Sequence, residues 1–190
     1  MQMSGESVPY KVRVVRSRNR LKTIGARLVN DIMVVYAPVT ISNEKLDKFI
    51  DKFSKGFQKA RLKKELNSTH DLKSVAENLN RLYFSGRLNI KSIEYVTGQN
   101  KMFGVCDHRA GKIRISHHLA RMPVWVRDYV IIHEMSHLIE PNHSKSFWDI
   151  VERYKLTERA KGYLMAKGFD TDEDTVEAKE TDSACHSWSI

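Results

Sequence analysis

Val130-Ile-Ile-His133-Glu134-Met-Ser-His137-Leu-Ile-Glu-Pro-Asn-His143 is the stretch whose reading decides the fold. It holds the pattern H-E-x-x-H, with a third histidine six positions after the second. On a helix, residues four apart stand one turn above each other, so His133 and His137 present both imidazoles on one face. Zinc takes nitrogen ligands at about 2.0–2.1 Å in a tetrahedral cluster, and that pair supplies two of them. Glu134 lies about a quarter-turn around the helix. From there its carboxylate can take a proton from metal-activated water and hand it to a leaving amine. Pro141 ends the helix and lets the chain turn, so that His143 can reach the same ion. Glu152, Glu158 and Glu140 are the alternative third ligands. His143 is preferred for its chemistry and its fixed place after the proline turn.

The flanking residues support this reading. Val130, Ile131, Met135, Leu138 and Ile139 make the helix apolar, so it is expected to be buried. Buried imidazole and carboxylate groups need partners, and a metal is the partner that fits them. Ser144 is placed to cap the next helix, which anchors through Phe147, Trp148, Ile150 and Val151 and so holds His143 still. In a chain with 8 His, H-E-x-x-H arises by chance about 2% of the time, and the third histidine lowers that below about one in a thousand.

Working outward, residues 10–16 alternate apolar and basic side chains and 31–36 form an apolar run stopped by Pro38, two strands. A lysine-rich helix opens near Ser42 and runs to about Leu66, with Leu46, Phe49, Ile50, Phe53 and Phe57 on one face. A second helix runs from Asp71 to about Phe84 and stops at Gly86. Strands follow at Leu88–Val96, Met102–Cys106 and Lys112–Ser116, the last two paired as a hairpin. Helices are expected at about 124–139, 145–154 and 157–167. The pattern divides the chain into an N-terminal strand-and-helix region (1–86), a core (87–169) and an acidic tail (170–190), with 1–169 alternatively one continuous domain.

Hydrophobic residues are 41% and charged residues 29% of the 190, as in an ordinary folded domain rather than a disordered one. No apolar run approaches the roughly 20 residues of a membrane helix, and Met1 to Lys11 carries no secretory-type apolar segment. Cys106 and Cys185 do not make a disulfide framework. The expected compartment is the cytosol. The net charge of +9 is uneven: residues 170–190 hold seven acids and one base, leaving 31 bases and 16 acids, or +15, on residues 1–169. Such a body could attract nucleic acid or an acidic protein, or it could be a solvated basic surface.

The segment from His133 to Trp148 resembles the metal helix, proline turn and "N-H-S-x-x-F-W" continuation of the YgjP-like metallopeptidases, relatives of the SprT-like zinc proteases. Met102-Phe-Gly-Val-Cys106 is similar to that family's "W-G-S-C" strand, with Phe103 in place of its tryptophan and Val105 in place of its serine. Lys112–Ser116, Ala37-Pro38 and Leu82-Tyr-Phe are similar as well, so the resemblance covers about residues 10–167. It implies one zinc ion on His133, His137 and His143, Glu134 as general base, and a peptide or protein substrate. The fold expected is α+β and zincin-like: a small, mainly antiparallel sheet packed on the H-E-x-x-H helix, with the strand-and-helix region in front.

The rival readings are a zinc hydrolase of a non-peptide amide and a basic nucleic-acid-associated protein with a structural zinc. A peptidase recruited to nucleic acid combines two of these. His117 and His118 are expected to be surface or capping residues, and His108 and His186 to be solvated. Asn142, Ser144 and Asp149 are candidates to orient the ligands, and Tyr129, Tyr154 and Tyr163 to donate to an oxyanion. The Met102–Cys106 strand is a candidate edge for an extended peptide.

Overall fold

The computed structural model describes residues 10–99 and 102–167. The first nine residues and the acidic stretch 170–190, with Cys185 and His186, lie outside the described residues. By internal contacts the chain divides into two units, Met1–Leu62 and Lys63–Ile190.

The first unit is a three-stranded sheet and most of a long helix. Strands β1 (Lys11–Ser17), β2 (Gly25–Val29) and β3 (Ile32–Pro38) lie in the order β1-β3-β2, with β3 parallel to β1 and antiparallel to β2. Strand β2 is not expected from the sequence. It is created by the Asn30-Asp31 turn, whose two residues have φ of 47° and 61°, the doubly left-handed turn that matches the twist of a tight hairpin. Alternate residues Met33, Val35 and Ala37 are wholly buried. They form a small core with Tyr10 and Leu46, against which Ile50, Phe53 and Phe57 of α1 (Asn43–Thr69) pack. The helix outlasts its expected end at Leu66. Ser68 and Thr69 fold their hydroxyls back onto the Glu65 carbonyl, at 2.8 and 2.9 Å.

In the second unit come α2 (Leu72–Phe84), β4 (Ser92–Val96), β5 (Gly104–Asp107), β6 (Lys112–Ser116), a 3-10 turn (His117–Arg121), α3 (Val124–Ser136), α4 (Lys145–Val151) and α5 (Thr157–Ala166). The α+β class is as expected. The sheet is mixed rather than mainly antiparallel: its order is β4-β6-β5, with β4 parallel to β6 and β5 antiparallel to it. The β5–β6 hairpin is local and legible, whereas alternation of side chains carries no information about strand direction. Strand β4 also starts later than expected, at Ser92, because the Asn80 amide takes the Leu88 N–H and carbonyl, at 3.2 and 2.9 Å.

Tyr95, Gly104, Cys106, Ile113 and Ile115 share one face of this sheet by register and are all buried. Every residue of α3 from Tyr129 to Ser136 is buried. Helices α2, α4 and α5 and the sheet all contact α3, which makes it the enclosed central helix of the unit. Among the described residues no helix is long and apolar enough to cross a membrane.

Candidate metal centre

The H-E-x-x-H helix ends sooner than the periodicity suggests. Helix α3 closes at Ser136 and His137 is its C-cap. Leu138 and Ile139 N–H then bond three residues back, to Met135 and Ser136, before Pro141. The residue before a proline is disfavoured in the helical region, so the last turn tightens instead of extending. The Ser144 hydroxyl accepts from Phe147 N–H at 3.3 Å and starts α4, as the sequence suggests.

This path brings three imidazoles together. One nitrogen from each of His133, His137 and His143 lies within 4.8 Å of the others. His133 and His143 face each other through Nε2 atoms 3.1 Å apart. Two nitrogens on one tetrahedral zinc are separated by about 3.3 Å. His137 sets its own tautomer: Nδ1 lies 3.3 Å from the Glu140 carbonyl, and an Nδ1–H donated there leaves the lone pair on Nε2. Glu140 therefore meets the site through its backbone. Among the described residues, Glu140, Glu152 and Glu158 are outside the cluster of donor atoms.

Phe147 of α4 packs on all three rings, with centroids at 4.8, 4.5 and 4.6 Å from His133, His137 and His143. Trp148 stacks on His143 at 5.7 Å. Above Trp148 sits Lys161, its Nζ 4.4 Å from the ring and 3.1 Å from Glu158. Lys161 is 4% exposed. His133 is fully buried, and burial pushes its pKa well below the usual 6.5, helped by His137, His143 and Lys161. It is therefore neutral at pH 7, which a metal ligand requires. Three imidazole nitrogens converging at this spacing fit a divalent ion such as zinc.

Glu134 is 1% exposed and its carboxyl lies against the backbone of β5. A Cβ built on Gly104 would fall 2.6 Å from Glu134 Cδ and closer still to Oε1. Only a glycine leaves room for the carboxylate here. A glycine inside a strand signals close approach by another group, which was the available clue, although it did not say which group. Phe147 anchors α4 as expected and packs on His133 and His137 as well as His143, whereas the place of Lys161 is not expected from the sequence. Lys161 stands one helical turn after buried Thr157 and one residue after buried Ala160, an unusual place for a lysine.

Most of the other candidates go elsewhere, and Tyr129 stays beside His133. Asp149 pairs with Lys145, and the Tyr154 hydroxyl donates to the Trp125 carbonyl at 3.0 Å. Tyr163 packs edge-on against Trp125, while Tyr129 lies edge-on to His133 at 6.3 Å. His117 and His118 lie against each other, ring centroids 4.1 Å apart, in the 3-10 turn and are not among the three clustered histidines.

The model of the YgjP-like metallopeptidase domain matches residues 9–161. The chain belongs to that family. This YgjP-like chain is thus a metallopeptidase, a hydrolase of peptide bonds whose chemistry calls for a divalent metal. A solved structure, the metallopeptidase zymogen abylysin of Pyrococcus abyssi, is similar at 19% identity and a TM-score of 0.44, over 50% of this chain and 92% of that one. No curated protein matches.

Two outcomes follow from this geometry. Gly104→Ala forces Glu134 or β5 to move, at about 1–3 kcal/mol of overpacking. Its kcat should fall at least about tenfold while bound metal, measured by elemental analysis, stays at the wild-type level; an unchanged kcat would sink the idea. In metal-free protein the unfolded chain takes up a proton at His133 near pH 6.5 and the folded chain does not. Stability is therefore full above pH 6.5 and declines as the pH falls below it. Thermal melts of the wild type between about pH 7.5 and 5 should show that decline, and it should shrink in His133→Gln.

Proposed function

We propose that the chain is a zinc-dependent peptidase in which His133, His137 and His143 hold one ion and Glu134 is the general base. The observation that carries this is the convergence of three imidazole nitrogens within 4.8 Å beside a carboxylate that is 1% exposed. Zinc at that position would supply Lewis acidity to polarise a scissile carbonyl and to acidify water. Glu134 would accept the proton of the attacking water and deliver it to the departing amine, which splits the peptide into an acid and an amine. Gly104 would hold the carboxylate in place for both transfers.

The substrate main chain would lie along β5. Ser116 N–H bonds the Phe103 carbonyl at 2.7 Å, so the alternation of an antiparallel ladder turns the Gly104 N–H and C=O away from β6. Those two groups then sit at the sheet edge nearest Glu134, placed to bond an extended peptide.

Elemental analysis and a proteolysis assay test the first claim together. Wild type and Glu134→Gln should each carry about one zinc per chain, with turnover in Glu134→Gln lower by at least about a hundredfold. His143→Ala should lose most of its metal. A fully active Glu134→Gln, or a His143→Ala that keeps its zinc, would refute the assignment. The edge-strand claim predicts that N-methylating a substrate peptide beside the scissile bond raises KM severalfold; equal KM values would count against it.

A further inference from the structure

The strands of the first unit carry a feature that peptide hydrolysis does not use. Residues 11–38 contain seven bases and a single acid, Asp31. Among the described residues none of these bases has an ion-pair partner. Arg16 is occupied structurally, since its guanidinium bonds the Val39 and Ile41 carbonyls and Asn43 Oδ1. Two of the others, Arg20 and Arg27, lie over one aromatic ring.

Met33, Val35 and Ala37 fill the inner face of the sheet, so Ile32, Val34 and Tyr36 belong to the outer face. Register places Lys11 and Arg13 of β1 beside Ile32 and Val34 on one side. Arg27 of β2 lies beside Val34 on the other. Lys11 and Arg13 therefore flank a central lane on one side and Arg27 on the other, about 10 Å apart across three strands. At the end of that lane is Tyr36, with the guanidinium carbons of Arg20 and Arg27 at 5.4 and 5.3 Å from its ring centroid. The register partner of Tyr36 on β2 is Gly25, and a Cβ there would meet nothing within 4 Å. The sheet is open beside the ring.

We propose that this outer face binds single-stranded nucleic acid, with a base stacked at Tyr36 over the Gly25 gap and phosphates held by Lys11, Arg13, Arg20 and Arg27. Charge complementarity selects a polyanion, since residues 11–38, strands and connecting loop together, carry seven bases against one acid. The half-exposed ring with an open flank selects one with accessible base faces, because a flat aromatic surface flanked by cations is how single strands are gripped without sequence preference. A duplex hides its base faces, and an acidic peptide has none to stack.

Fluorescence anisotropy of the full chain with a labelled oligothymidylate of about 12 nucleotides tests this, within the site sizes single-strand binders show. It needs no metal or turnover. Binding should weaken with salt at a log–log slope of about −2 to −3, from three to four phosphate contacts at about −0.7 each. Tyr36→Ala should weaken binding about tenfold or more, within the range seen when stacking residues are removed. Gly25→Val puts a β-branched side chain where a strand accepts it, so melting temperature and peptidase activity should hold while oligonucleotide binding falls. Arg27→Ala should make the slope shallower by about 0.7. Binding that is absent at low salt, or unchanged in both Tyr36→Ala and Gly25→Val, overturns the proposal. So does equal affinity for a duplex or for polyglutamate of the same charge.

Discussion

A histidine that is to hold a metal must be neutral and must not swing, and the interior around α3 imposes both conditions. Desolvation of His133 keeps its ring uncharged, and the cation of Lys161 adds to the penalty for protonation. Rotation is blocked by packing: Phe147 lies against all three imidazoles at once. Phe147 is placed by α4, which begins at the Ser144 cap. The position of His143, one residue before that cap, therefore depends on a helix start. That start follows a proline turn which depends on the early close of α3. Each imidazole is held by packing that another's neighbours create, so the proposed ligands would behave as one unit.

Glu134 faces a different problem. A carboxylate with 1% exposure is costly in an apolar interior unless cations or donors surround it. The proposed ion would place a cation beside it, which would give the carboxylate a reason to follow His133 directly. Gly104 then acts as a steric selector, since the strand approaches the helix so closely that its own side chain is dispensed with. The ladder to β6 turns the Gly104 N–H and C=O to the sheet edge, so the same residue would place both the proposed base and a substrate chain.

The H-E-x-x-H helix was legible because two independent periods coincide in it, the four-residue histidine spacing and the apolar pattern of a buried helix. Its continuation through Pro141 and Ser144 was legible because proline and a hydroxyl cap are local signals. Pairing direction was not legible. Lys11–Ser17 and Ile32–Pro38 read as strands from alternation alone, but the parallel ladder between them is a long-range event that no local pattern encodes. Strand β2 was missed although Asn30-Asp31 is the kind of pair that favours a tight hairpin; its short alternation, Gly25 to Val29, was masked by the surrounding basic residues. The grip of Asn67 on Tyr95 and that of Asn80 on Leu88 were equally out of reach, since an asparagine in a helix gives no sign of which distant backbone it will bond.

Charge on the strands of the first unit has an obvious alternative explanation, that lysine and arginine on exposed edges prevent sheets from pairing with one another. That explanation accounts for Lys11 and Arg13 on β1 and for Arg27 on β2, since both strands are at edges of the order β1-β3-β2. It does not account for Tyr36, which lies on the central strand, where no edge needs guarding. Nor does it explain Arg20, which leaves the β1–β2 loop to lie by that ring, or the gap at Gly25. Edge protection works through charge alone and is indifferent to what stands between the charges. An aromatic ring with cations around it and an open flank beside it adds shape to the charge, and shape is required only where something is to be bound.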